Sequence, residues 1–128
     1  MKRAALALLF ALGCAPSAPD EFAEVVEGRL EASDARLDDG TPYDAFEFQA
    51  RRGQRLTAVL SSEDFDPMLH LLREGDARLA SNDDARFGVA EAKIDEAIPA
   101  DGTYKLLLMA NEGRGLGAYR LKVTLSTP

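Results

Sequence analysis

The chain has 128 residues, room for one domain and no more. Apolar residues make up 46% and charged residues 29%, a globular balance that excludes wholesale disorder. With 15 Lys and Arg against 22 Asp and Glu, the formal charge of −7 argues against nucleic acid as a partner and against electrostatic attachment to anionic lipid, since both need clustered basic side chains.

Met1-Lys2-Arg3 opens the chain with positive charge, and Ala4 to Leu12 is an unbroken apolar run closed by Gly13-Cys14. A basic start, a short apolar stretch and a small residue before the cut describe a signal peptide over residues 1–13. The run is too short to cross a bilayer, which takes roughly 20 apolar residues. Ala11-Leu12-Gly13-Cys14 resembles the lipobox of bacterial lipoproteins, in which the cysteine becomes the acylated first residue. Gly13 and Cys14 match that pattern, while Ala11 stands where a larger aliphatic residue is usual. An ordinary signal peptide is the alternative, but it would need a cut directly before Pro19, a poor position for the peptidase. The resemblance implies an exported chain anchored to the membrane through lipid on Cys14. With Ala15 rather than Asp after the cysteine, it implies an outer-membrane lipoprotein in a Gram-negative host and the cell surface otherwise. Each buried CH₂ of such an anchor contributes about 0.8 kcal/mol, so two chains already hold stably. Residues 14–23, rich in Ala, Pro and Ser, read as a tether, and residues 24–128 as the folded domain. The single cysteine excludes an intramolecular disulfide, so the domain must rest on its core.

From Glu24 onward the hydrophobic period is two. Val26, Gly28 and Leu30 alternate with Glu27, Arg29 and Glu31. Phe46, Phe48 and Ala50 follow, then Leu56, Ala58 and Leu60, then Phe65, Pro67, Leu69 and Leu71 in one phase. Leu79 sits in a short run before Asn82. Ala90, Ala92 and Ile94 alternate with Glu91, Lys93 and Asp95, and Tyr104, Leu106, Leu108 and Ala110 form another face. Tyr119, Leu121, Val123 and Leu125 alternate with Arg120, Lys122 and Thr124, the cleanest case. Turn-formers separate these runs: Asp38-Asp39-Gly40, Arg52-Gly53, Glu74-Gly75-Asp76, Asp101-Gly102 and the glycines at 113, 115 and 117. The pattern predicts an all-β domain, an antiparallel sandwich or barrel of about eight strands preceded by a signal peptide. Phe46, Phe48, Leu106, Leu108, Tyr119 and Leu121 should form its core. Glu96 falls in phase with Ile94 and Ile98, and a bulge there would restore the alternation.

The order of short motifs is similar to that of the bacterial pre-peptidase C-terminal (PPC) domain. Gly28-x-Leu30, Asp38-Asp39-Gly40, Tyr43-Asp44-x-Phe46-x-Phe48 and Gly53-Gln54-Arg55-Leu56 match its first half. Ser61-Ser62-x-x-Phe65-Asp66-Pro67-x-Leu69-x-Leu71, Asn82-Asp83-Asp84, Ile98-Pro99-x-x-Gly102-Thr103-Tyr104 and Gly117-x-Tyr119-x-Leu121-x-Val123 match the second. The resemblance covers residues 24–126. It implies a jelly-roll-like β-sandwich without catalytic activity, of the kind appended to secreted proteases. Collagen-binding relatives bind matrix and take up calcium. No enzyme sequence accompanies the domain here, so the expectation is a free-standing surface binding or structural module, with a protein or polysaccharide of the envelope or matrix as partner. An accessory subunit of a secreted protease or envelope complex is the alternative, and a small hydrolase the third reading.

Chemistry offers little to a hydrolase. His70 is the one histidine, and in strand phase it shares a face with Met68 and Leu72, as a strand histidine does. No serine lies in a G-x-S-x-G elbow, and Gly113-Arg114-Gly115-Leu116-Gly117 precedes no helix, which makes it a hairpin loop. One histidine and one cysteine cannot furnish a zinc or iron site. The carboxylate pairs sit in turns, where water keeps acids ionised. Hard oxygen ligands in loops suit calcium. By resemblance Asp38, Asp39 and Asp44 stand at the strand entrance that holds the ion, and Asp83 and Asp84 form a second cluster. Asx-turns and loop caps account for the same acids equally simply. The outward phase is not uniformly polar, for Val59, Met68, His70, Leu72, Leu107 and Met109 oppose the core residues of their strands. Either a loop or the N-terminal segment covers them, or they lie singly on the surface, or neighbouring strands gather them into one exposed patch for a partner.

Overall fold

A computed structural model describes residues 21–73, 75, 77–82, 91–111 and 115–127. Eight strands carry them: β1 (Phe22–Leu30), β2 (Asp44–Ala50), β3 (Arg55–Ser61), β4 (Pro67–Arg73), β5 (Ala77–Asn82), β6 (Glu91–Ala97), β7 (Gly102–Ala110) and β8 (Gly117–Ser126). They form two four-stranded sheets in the orders β1-β8-β3-β6 and β2-β7-β4-β5. Every pairing is antiparallel. First pairs with last, second with seventh, third with sixth and fourth with fifth, as in one long hairpin rolled over on itself. That connectivity is the jelly roll, and no α-helix occurs among the described residues.

The inward phase of each strand closes against the facing sheet. Phe46, Phe48, Leu106, Leu108, Tyr119 and Leu121 are all buried, joined by Leu56, Leu60, Leu69, Leu71 and Leu125. Phe22 of β1 meets Phe46 and Phe48 of the other sheet at centroid distances of 6.4 and 6.1 Å, and Phe48 stacks on Tyr104 at 5.9 Å. Such ring pairs add to the area they bury. β1 therefore opens at Phe22, inside the stretch read as tether, because this ring has a place between the sheets. Where the chain leaves the sheets, buried polar groups are satisfied locally. Gln54, 1% exposed, accepts from the Arg51 amide through Oε1 at 2.7 Å, and its own carbonyl receives the Ile98 amide at 2.8 Å. The Tyr104 hydroxyl donates to the Ala100 carbonyl at 2.5 Å.

The bulge expected at Glu96 is absent. β3 and β6 pair residue for residue from Arg55↔Ala97 to Ser61↔Glu91, with Glu96 opposite Leu56. β6 is an edge strand, so a half-buried Glu96 near its end reaches water without breaking the ladder. The register shift lies instead between Leu71 and Leu72, where β4 meets β5.

Candidate functional site

The outer face of the β1-β8-β3-β6 sheet is open. Register places Glu27, Arg120, Ser61 and Glu91 in one row across its four strands. At the end of the sheet this row borders a groove of about 810 Å³, lined also by Gly28, Ser62, Glu63, Asp64, Ala118 and Tyr119. The groove is built from backbone upward. Ser62 Oγ donates to the Ala118 carbonyl at 2.7 Å and accepts from the amides of Asp64 and Phe65 at 2.9 and 3.2 Å. Asp64 Oδ2 in turn accepts from the Ala118 amide at 2.9 Å. Gly117, at φ 137°, lets the β8 backbone come this close, since a Cβ there would run into the Asp64 side chain. One strand further, a Cβ on Gly28 would lie 2.6 Å from the Tyr119 hydroxyl oxygen. The phenol occupies that space and donates to Asp44 Oδ2 of the opposite sheet at 2.5 Å. Four carboxylates and one guanidinium thus surround a depression whose floor is pinned, and Arg120 reaches Glu27 at 3.9 Å with both side chains exposed.

The outer face of the β2-β7-β4-β5 sheet is different. Met68 lies opposite Met109 and His70 opposite Leu107, so the strands carrying the suspected patch are neighbours. The patch is nevertheless not exposed. Leu72, Leu107 and Met109 are 9, 6 and 3% exposed and form a second apolar cluster, against which Met68, Leu37 and Tyr43 pack. Leu37 and Tyr43 belong to residues 31–43, the β1–β2 connection, which folds over this face. Covering is the physical answer to two strands with apolar side chains on both sides. Val59 is also set apart, for it lies on β3 in the other sheet, opposite Lys122 and Lys93. His70, half-buried between Met68 and Leu72 on β4, keeps its Nδ1 shut from solvent with no hydrogen-bond partner among the described residues. Desolvation, with a smaller push from Arg78, lowers its pKa below the ordinary 6.5.

Two of the acids proposed for calcium, Asp39 and Asp44, make hydrogen bonds within the domain. Asp39 Oδ1 accepts from the Thr41 amide at 2.9 Å, an Asx-turn, and contact with Thr41 lowers its pKa below 3.8. Asp44 receives the Tyr119 hydroxyl, and Asp38 stands exposed. No group of three or more His, Cys, Asp or Glu side chains gathers as a metal site among the described residues. Asp38, Asp39 and Asp44 therefore do not fit a calcium ion, which takes six to eight oxygen ligands. Asp83, Asp84 and Cys14 lie outside the described residues.

No family model matches the sequence, and no characterised protein sequence matches it significantly. Solved structures do. The pre-peptidase C-terminal domain of collagenase from Bacillus anthracis aligns over 80% of this chain and 89% of its own, with a TM-score of 0.57 and 18% identity. The chain has the PPC-domain fold. The same PPC-like fold is shared by PliG of Aeromonas hydrophila, a periplasmic lysozyme inhibitor of g-type lysozyme, which aligns over 87% of this chain and 89% of its own at TM-score 0.60 and 15% identity. PliG of Salmonella Typhimurium, of the same description, aligns over 81% and 87% at TM-score 0.56 and 23% identity.

The sequence does not show the groove, and it offers a covering segment as one account of the outward apolar residues without saying which segment. Glu27, Arg120 and Glu91 each looked like ordinary outward strand positions, and only the strand order puts them in one row. Leu37 and Tyr43 did carry a signal, being large apolar residues in a turn-rich connection.

Proposed function

We propose that the chain is an exported, lipid-anchored, non-catalytic binding module of the PPC type, whose partner is an envelope protein presenting a basic loop. The groove across the open sheet carries this reading. Its four carboxylates against one guanidinium sit on strand and turn positions fixed by the backbone, and they complement Lys or Arg side chains. Two neighbours of the same fold are named as periplasmic inhibitors of a protein, g-type lysozyme, which supports a protein as the partner class. The non-enzymatic reading rests on where the reactive groups lie: His70 is on the covered face of the other sheet, and Asp64 is an exposed acid already bound to a backbone amide. Anchoring rests on Gly13-Cys14.

A photo-cross-linker at Ser61, used in intact envelopes, should trap one basic protein, and g-type lysozyme is the first purified probe. Glu27→Lys with Glu91→Lys should weaken that association about ten-fold or more and leave the melting temperature unchanged. Equal capture by the charge-reversed variant would remove the groove from the function. Capture of a secreted protease or of an envelope complex would favour the accessory-subunit alternative. Cys14→Ser should move the chain from the membrane fraction to the soluble one, and a wild-type chain already soluble would refute the anchor.

A further inference from the structure

We infer that the β1–β2 loop is an acid-released cap: protonation of His70 frees residues 35–43 from the outer face of β4 and β7 and bares Leu72, Leu107 and Met109. The loop is built to move as a unit. The amides of Leu37, Gly40 and Tyr43 donate to the carbonyls of Thr41, Leu37 and Ala35. Arg36 donates to the carbonyls of Gly40 and Ala32, and Thr41 to Asp39. The hydrogen bonds of residues 35–43 thus close within the loop, and its hold on the sheet is through the apolar side chains of Leu37 and Tyr43. Lifting it breaks no ladder.

His70 supplies the trigger. Met68, Leu72 and Leu107 flank it on its own strand and on β7, and all three belong to the covered cluster. A proton on its Nδ1 would be a buried donor with no acceptor. The charged groups around it do not help. β5 brings Arg78, opposite Leu72; β7 brings Lys105, beyond Leu107; β4 itself brings Arg73. β2 brings Glu47 on the far side of Lys105. The loop brings Arg36, turned to its own carbonyls, and the exposed Asp38 and Asp39, the latter tied to Thr41. The Nδ1 proton of the imidazolium must find water, and β4 cannot yield because β5 and β7 pair it on both edges. The cap can.

The sign follows: the neutral ring is the form the closed state holds, so closure is complete above pH 6.5 and is lost as pH falls below it. In the processed chain, purified in mild detergent, peroxide oxidation of Met109, 3% exposed beneath the cap, should speed about ten-fold between about pH 7.5 and pH 5, with amide-exchange protection of β8 unchanged. His70→Gln should keep Met109 slow to oxidise at both values. Fast oxidation at pH 5 in that variant too, or no change in the wild type, would overturn the inference. Should the variant fold poorly, the wild type decides alone. The chain has a single histidine, so its imidazole resonance is unambiguous, and the side-chain resonances of Leu107 and Met109 beneath the cap should titrate with its midpoint, below 6.5. Separate midpoints would equally refute the cap.

Discussion

The two sheets turn opposite kinds of face outward. β8 runs Tyr119-Arg120-Leu121-Lys122-Val123, buried and exposed by turns, and its sheet meets water directly. In β7, Leu106 to Ala110 are all buried although successive side chains point to opposite sides. Residues 31–43 make the difference, since they lie over the β7–β4 half of one sheet and leave the other bare. Alternation in a strand predicts which side is core, whereas a run without alternation predicts that something else must come to cover it. The cover is held less firmly than the core. Full burial of a large apolar side chain contributes about 1.5–3 kcal/mol, and Leu37 and Tyr43 are each only half-buried.

Consecutive residues of β7 put that difference to the test. Leu106, fully buried between the sheets, and Leu107, 6% exposed under the loop, sit in the same strand with the same side chain. Leu106→Ala should cost about 4 kcal/mol, because close-packed sheets cannot collapse into the hole. Leu107→Ala should cost about 2 kcal/mol, because a loop with its own hydrogen bonds can settle. Chemical denaturation of both variants measures the two costs, and equal values would mean that the loop is as rigidly packed as the core. The pair Met68→Lys with Met109→Lys sharpens the point. Charge placed beneath the loop should lower stability by about 2 kcal/mol and expose the loop to protease, where an open patch would leave stability unchanged.

The fold was legible because β-sandwich physics writes itself as period two, and eight runs with turn-formers between them leave few alternatives. Strand boundaries near Phe22 and the behaviour of Glu96 were not, since both depend on which strands end up at an edge. The groove was illegible for a stronger reason. Glu27 and Glu91 are 64 residues apart in the chain and share a row only because β8 and β3 stand between β1 and β6. A jelly roll brings its ends together through such non-local pairing, and no local pattern encodes it. Asp39, in a turn, and Asp44, at the start of β2, read as metal ligands because a carboxylate there has one appearance and several uses; one accepts from the Thr41 amide and the other from the Tyr119 hydroxyl.

A smaller effect probes the bolt between the sheets. Gly28→Ala places a methyl within 2.6 Å of the Tyr119 hydroxyl oxygen and 2.7 Å of the ring carbon that bears it. The ring must tilt, and its bond to Asp44 is lost or bent. The expected cost is about 1–2 kcal/mol. Tyr119→Phe in the same chain should add less than it does alone, since the two changes damage one interaction. Strict additivity in a thermal double-mutant cycle would show that the glycine and the phenol are not coupled. Binding of the partner proposed for the groove should weaken in parallel, because Gly28 and Tyr119 line it.

The smallest expected effect sits at the tip of the cap, where Asp39 is held by Thr41 through its hydroxyl and its amide. These contacts favour the carboxylate and lower its pKa from 3.8. A lowered folded-state value means that the contribution is whole above pH 3.8 and is lost as pH falls through the value in the folded chain. The cap then has two distinct acid responses. One, through His70, begins below 6.5 and lifts the loop; the other, through Asp39, waits until well below that and loosens only the turn at Gly40. Asp39→Asn keeps an oxygen that can accept from the Thr41 amide but removes the proton exchange. The Thr41 amide resonance should therefore shift below pH 3.8 in the wild type and stay flat in this variant, with no change in the response near His70. A Thr41 shift that follows the His70 midpoint instead would mean that turn and cap open together, and that the loop does not move as the preformed unit its hydrogen bonds describe.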